Sequence, residues 1–151
     1  MISNHFTATG IVFNAANEIL MIHHNKMRVW LPPGGHIDEN ELPTNAAIRE
    51  IFEETGVHAK VLPNKGNPNL SDKHSTELDR PFAILLEDIE GDGTHNHIDM
   101  VFLCVAITAE LKPQKDEVDG IGWFSFEQIK RLKTFDNVIK TIARAIEERI
   151  T

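Results

Sequence analysis

GGHIDENELPTNAAIREIFEETGV, the stretch from Gly34 to Val57, decides how this chain is read. Its second half is helical by composition: Ala46 to Glu54 favours a helix throughout, apart from Phe52 and the isoleucines. Pro43 suits the first helical turn, where a missing N–H costs nothing, and Gly56 suits the residue just past the end. Leu42 stands where Ser, Thr or Asp would be the better cap, a small loss of stability with no effect on chemistry. With Glu50 at zero on a helical wheel of roughly 100° per residue, Glu53 falls at about −60° and Glu54 at about +40°. The three carboxylates share one narrow face. Ile48, Ile51, Phe52 and Thr55 take the opposite side and are expected to pack on a sheet.

Carboxylates at i, i+3 and i+4 repel one another, and these three also crowd the negative end of the helix dipole. A solvated acidic face is the ordinary reading of such a group. Hard cations such as Mg²⁺ offer another, because they take oxygen ligands and suit carboxylates clustered on a rigid element. The surrounding spacing chooses between the two. Gly35 is followed by five residues and Glu41, then by seven and Arg49-Glu50-Ile51; one more leads to Glu53-Glu54, and one more to Gly56-Val57.

That spacing fills every defined position of G-x5-E-x7-R-E-U-x-E-E-x-G-U, with U a bulky aliphatic, and so resembles the Nudix box. Trp30-Leu31-Pro32-Pro33-Gly34-Gly35 is similar to the family's lead-in, and Glu117 to Phe124 to its later acidic loop and Trp-bearing strand. The resemblance implies a Nudix fold, a mixed β-sheet in an α/β/α sandwich of α/β (α+β) class. It also implies divalent-metal-dependent hydrolysis of a phosphoanhydride in a nucleoside diphosphate-linked substrate, with water attacking phosphorus. Mg²⁺ is the expected cofactor, with Mn²⁺ as a substitute. By the same resemblance, Glu50, Glu53 and Glu54 bind the metal, with the Gly34 carbonyl as a further ligand. Glu53 is the first candidate for the base that deprotonates the attacking water. Glu117 is the later-loop alternative, with Asp116 and Asp119 close by. Glu41 and Arg49 tie loop to helix, Arg49 through charge-assisted hydrogen bonds. Gly35 and Gly56 meet backbone requirements, a tight loop and a helix end. His36 either touches a substrate phosphate or lines the loop.

Outside the box the patterning alternates strands with turns. Phe6 to Phe13, Ile19 to His23, Val29 to Leu31, His58 to Leu62, Phe82 to Ile89, Ile98 to Thr108 and Ile121 to Phe124 read as strands. Residues 64–80 form the longest loop. Glu90 to Thr94 joins Phe82–Ile89 to Ile98–Thr108 as a hairpin, which makes the sheet mixed rather than parallel. Phe126 to Leu132 and Asp136 to Ile150 read as helices, the latter with an apolar stripe through Val138, Ile139, Ile142, Ala143, Ala145 and Ile146.

The 151 residues suit one domain, 1–151, with a core of its own. No apolar run is long enough for a membrane span, the N-terminus lacks the form of a signal peptide, and a cytoplasmic location is expected. The net charge of −8 and the lack of a basic cluster argue against a nucleic-acid polymer as partner. A small nucleotide-type molecule is the expected partner, with a homodimer preferred. The single cysteine, Cys104, lies in an apolar run, reads as a buried hydrophobe and excludes a disulfide within the chain.

His95, His97 and Asp99 alternate at strand period and share a face, but even with His23 and His24 they match no strong zinc spacing. They are read as surface or substrate-groove residues, and Trp30 and Trp123 as core. Two other functions are weighed. A non-catalytic Nudix-like nucleotide sensor would be expected to lose box glutamates and to carry a DNA-binding segment. An isoprenoid diphosphate isomerase calls for a loop cysteine. The substrate is not readable: the Pro of many ADP-ribose hydrolases is replaced around Leu70-Ser71-Asp72, there is no tyrosine, and Leu31-Pro32-Pro33 departs from oxidised-dGTP sanitisers.

Overall fold

The β-branched and apolar run that ends in Ile11-Val12-Phe13 forms the spine of the sheet, β1 (Ser3–Phe13). The computed structural model describes residues 1–112 and 116–150. In it β1 lies parallel to β7 (His95–Ala106), in register from Ser3 opposite His95 to Phe13 opposite Val105. Both strands are longer than the sequence suggests. Their polar first residues, Ser3 to His5 and His95 to His97, carry no apolar signal and are held by pairing with each other.

Around this pair the remaining strands are antiparallel. β2 (Ile19–His24) and β3 (Val29–Leu31) follow on one side, with β8 (Val118–Phe124) on the other edge of β2. On the far side, β6 (Ala83–Asp88) and β5 (Ala59–Val61) both pair with β7. The β6–β7 hairpin is as expected, and the sheet is mixed. β4 (Gly34–His36), where a tight loop is expected at Gly35, is a strand that pairs with Thr7–Thr9 of β1. Glycine carries no β preference, so sequence pattern does not reveal it.

Helix α1 (Pro43–Thr55) covers one face through Ala46, Ala47 and Ile51, all fully buried against Ala8, Val12, Phe102 and Cys104. Helices α2 (Phe126–Ile129) and α3 (Asp136–Ile150) cover the other, with Ile129, Ile142 and Ala145 against Ile11, Ile19 and Met21. The α/β/α sandwich is therefore present. α2 stops earlier than the expected Leu132; Ser125 caps it in a capping box with Gln128.

Candidate active site

The sheet-facing side of α1 differs from the expected one. Ile51 and Thr55 are buried, but Ile48 and Phe52 are only partly so, and Phe52 stacks on His58 with ring centroids 4.5 Å apart. Glu50 and Glu54, at 5% and 4% exposure, belong to the buried side instead. The small side chains of Ala46 and Ala47 let the helix approach the sheet closely, and that approach draws the two glutamates in beside β4.

Gly35 of β4 makes room for Glu50, and Gly34 for the neighbouring strand β1. A Cβ on Gly35 would stand 2.5–2.7 Å from the Glu50 carboxyl group. A Cβ on Gly34 would meet Thr9 Oγ1 at 2.5 Å and the Ala8 carbonyl at 2.7 Å. Gly35 thus serves close packing in a strand, rather than the tight loop expected of it. The Gly34 amide donates to Glu54 Oε1 at 2.8 Å. Gly56 does have the left-handed backbone, at φ +79°, and its amide closes the helix on the Phe52 carbonyl at 2.8 Å.

Arg49 is the hub of this group. Its Nε donates to Glu41 Oε2 at 2.8 Å, and Nη2 donates to Glu41 Oε1 and to the His36 carbonyl, both at 2.9 Å. Nη1 donates to Glu50 at 2.9 Å and to Glu53 at 3.2 Å. One guanidinium therefore offsets the repulsion expected among the glutamates and ties them to the loop. Hydrogen bonding from Arg49 holds the Glu41 carboxyl below its usual range, and Glu41, Glu50 and Glu53 push Arg49 well above its own. The side chain of Glu53 is 34% exposed against 6% for Glu50, so Glu53 reaches the solvent side of the cluster.

This arrangement suits a hard divalent cation. The carboxyl groups of Glu50 and Glu54 are buried beside β4, where the missing Cβ of Gly35 admits Glu50, although among the described residues no three His, Cys, Asp or Glu side chains already surround one cation position. Glu50, Glu53, Glu54 and the Gly34 backbone are the groups that would hold the ion.

The later acidic residues stand elsewhere. Glu117 is exposed on the turn into β8, and its carbonyl accepts the Asn25 amide at 2.9 Å. The Asp116 carbonyl accepts from Asn25 Nδ2, while Asp119 takes His23 Nδ1 and Arg28 Nη1. Contact with His23 first, then Arg28, holds the Asp119 carboxyl down. His23 also meets Trp30 edge to face at 5.2 Å. Cys104 is fully buried in β7, where burial pushes its thiol up to about 12, so it is not the loop cysteine that isomerase chemistry calls for.

A polar group only partly visible in the sequence lies on the other face of β4. His36, His5, His95 and His97 pack edge to face, and Asp99 accepts hydrogen bonds from Thr7 and Thr9, each at 2.9 Å. The alternation of His95, His97 and Asp99 signalled one shared face, but only strand register brings in His5 and His36. Burial pushes the Asp99 carboxyl up against those hydrogen bonds. Burial, with the charge of Asp99, pushes Glu87 up to about 7. Burial, with His36, His95 and His5 around it, lowers His97 to about 4.

Comparison with known proteins agrees with this geometry. The NUDIX domain pattern matches residues 3–145. A probable DHNTP pyrophosphohydrolase of Lactococcus lactis is 31% identical over 121 residues, 80% of this chain and 63% of that protein. A putative 8-oxo-dGTP diphosphatase of Bacillus subtilis is 43% identical over 51 residues, 34% of each chain. The chain spans less than two thirds of the length of these relatives. Among solved structures, a NUDIX-family hydrolase from Clostridium perfringens superposes with a TM-score of 0.83 at 29% identity, covering 97% of this chain and 98% of the other. A box helix whose glutamates meet a glycine strand, set in a mixed sheet between helices, and a domain match over nearly the whole length lead to one conclusion: the chain belongs to the NUDIX family.

Proposed function

We propose that this chain hydrolyses a phosphoanhydride bond in a nucleoside diphosphate-linked small molecule, using Mg²⁺ or, in its place, Mn²⁺. The observation that carries the reading is the Arg49 hub, which gathers Glu41, Glu50 and Glu53 while Glu54 engages the Gly34 amide. Glu50, Glu53, Glu54 and the Gly34 carbonyl would hold the ion, Glu53 from their solvent side. When bound there, the ion supplies positive charge for the phosphate oxygens and eases deprotonation of the attacking water. Glu53, the most solvent-reaching of the box glutamates named in these contacts, accepts that proton; Glu117, on the exposed turn before β8, is the alternative acceptor. Arg49 and Glu41 are positioning residues, and Gly35 and Gly56 fix the backbone. His36 is kept as the proposed substrate contact; its side chain lies beside His5 and His97 on the face of β4 away from the glutamates, so it would meet a part of the substrate remote from the metal.

The names of the two curated relatives support an acid-anhydride substrate of nucleotide or related type. The reading takes residues 1–151 as one catalytic domain in the cytoplasm, with a homodimer as its assembly. No helix among the described residues is long and apolar enough to cross a membrane.

The test is a panel of nucleoside triphosphates, nucleotide sugars, dinucleotides and ADP-ribose, assayed with Mg²⁺ and with Mn²⁺. Glu53→Gln should lower kcat on the best substrate by about 10²–10⁴-fold with the fold intact. Wild-type rates in that variant would remove Glu53 from its role and turn attention to Glu117. A wild-type protein inert across the panel would favour the sensor reading.

A further inference from the structure

We propose that two copies of this chain join through the outer edge of β6, as antiparallel neighbours in one continuous sheet. β6 pairs with β7 on one side, and among the described residues no strand pairs with its other side. The edge at β3 is covered instead: the Trp30 amide donates to the Lys133 carbonyl at 2.9 Å, and Thr134 Oγ1 donates to the Trp30 carbonyl at 2.6 Å. Just past β6 the Ile89 amide donates to the His95 carbonyl at 2.9 Å. Antiparallel bonding alternates, so the odd-numbered residues of β6 bond β7, while Ile84 and Leu86 turn their backbone N–H and C=O outward.

That edge lacks the usual protection. Edge strands are ordinarily blunted by lysine or proline, because their open backbone groups invite another chain. β6 reads Ala-Ile-Leu-Leu-Glu-Asp, with its two charges together at one end, and Ile84 and Leu86 are 63% and 69% exposed. Register sets both in a wider apolar strip. Leu86 lies beside Ile98, and Ile98 beside Phe6, itself 54% exposed; Ile84 lies beside Met100 in the next row. Contiguous exposed apolar surface of this kind marks a contact with another macromolecule.

Self-complementarity selects a second copy as that partner. A two-fold axis at Leu85 sets Ile84 of each copy opposite Leu86 of the other, and both positions have outward backbone groups. Each such pair exchanges two hydrogen bonds, and the apolar strips of the copies meet on one face of the joined sheet. Sliding one copy by two residues spoils the match. One direction sets Asp88 against Ile84; the other sets Leu86 against Phe82, whose amide already serves the Val101 carbonyl at 2.9 Å. Charge favours the same axis. The acidic end of each strand, Glu87 and Asp88, meets the opposite end of the other, where Phe82, Ala83 and Leu85 form a groove with Lys140 and Arg144 of α3. An isologous contact closes on itself as a dimer and does not run on as a fibre. Six residues a side fall short of the standard interface of about 800 Å² per partner, so a dissociation constant in the micromolar range is expected.

This gives the homodimer of the preceding reading its contact surface and does not rest on the hydrolysis. The experiment is sedimentation velocity of the full chain, free of any affinity tag, from about 1 to 200 µM. The wild type should pass from monomer to dimer across that range. Leu86→Lys, at an exposed side chain, should weaken the dimer by about 10-fold or more. Ile107→Lys, the same kind of change at a residue 64% exposed past the end of β7, should dimerise as the wild type does. Leu85→Cys should cross-link to its own copy under mild oxidation, because facing Cα atoms at such a position lie about 4.5 Å apart, within reach of a disulfide. A wild type that stays monomeric throughout would overturn the proposal. So would a Leu85→Cys protein that never cross-links. A dimer indifferent to Leu86→Lys would keep the homodimer and remove β6 as its interface. Mass, not turnover, is read throughout, so none of these outcomes bears on the hydrolase reading.

Discussion

The two faces of β4 carry polar groups built by opposite means. Toward α1, one helix supplies Arg49, Glu50, Glu53 and Glu54 within six residues, and Gly35 makes room for Glu50. On the other face, the ends of three strands, β1, β4 and β7, each bring part of a histidine group, backed by Glu87 and Asp99. The first is cross-linked by charge-assisted hydrogen bonds; the second rests on ring packing and strand register. Perturbing one residue should therefore be costly on the helix side and mild on the histidine side.

The largest effect is expected at Arg49. Arg49→Met keeps much of the aliphatic bulk and removes five hydrogen bonds, two of them to Glu50 and Glu53. Taking one partner from a buried charge group costs about 3–5 kcal/mol, and Arg49 is partly exposed, so about 3 kcal/mol is expected in urea denaturation. Excess Mg²⁺ should restore part of that stability by replacing the positive charge. A loss below about 1 kcal/mol, on the scale of exposed ion pairs, would mean that backbone packing rather than the hub holds the glutamates.

Gly35→Ala comes next. The added Cβ meets the Glu50 carboxyl group at 2.5 Å, so Glu50 must turn away. Overpacking of this kind costs about 1–3 kcal/mol. Turnover should fall further than stability does, because the displaced group is a proposed metal ligand. Equal losses at saturating and at limiting Mg²⁺ would separate Glu50 from metal binding.

The contrast also explains what was legible. Glu41, Arg49, Glu50, Glu53 and Glu54 lie within fourteen positions on one loop and helix, so linear spacing carries their meaning. The wheel placed the glutamates together and put Ile51 and Thr55 against the sheet, yet it left Glu50 and Glu54 on the outer side. It counted Phe52 and Ile48 as packing residues and ignored how closely Ala46 and Ala47 admit the helix. β4 was illegible because two of its three residues are glycine. The histidine group was half legible, since period-two alternation joins His95 to His97 but only the parallel β1–β7 register adds His5.

On the histidine face the expected effect is smaller and depends on pH. Folding raises the Glu87 carboxyl from its ordinary value to about 7, chiefly through burial and then through Asp99. The folded state therefore binds this proton more tightly than the unfolded state, and stability falls as pH rises through that window. Glu87→Gln removes the titration. It should be more stable than wild type by on the order of 1 kcal/mol at pH 8, with the difference closing below about pH 4.5. A difference that did not vary between pH 5 and pH 8 would place Glu87 in a more solvated setting.

The smallest expected effect tests whether the box helix needs local stabilisation at all. Leu42 is its N-cap, with extended backbone and no side-chain hydrogen bond to the first turn. Leu42→Ser supplies an acceptor for one of the orphan amides and should add about 0.5–1 kcal/mol, a rise in Tm of a few degrees. The rate should not change, because the glutamates sit in the last turns and are fixed by Arg49 and β4 rather than by the helix start. If Leu42→Ser altered kcat as well, the entry angle of the helix would be setting the carboxylates. The hub would then follow from that geometry instead of causing it.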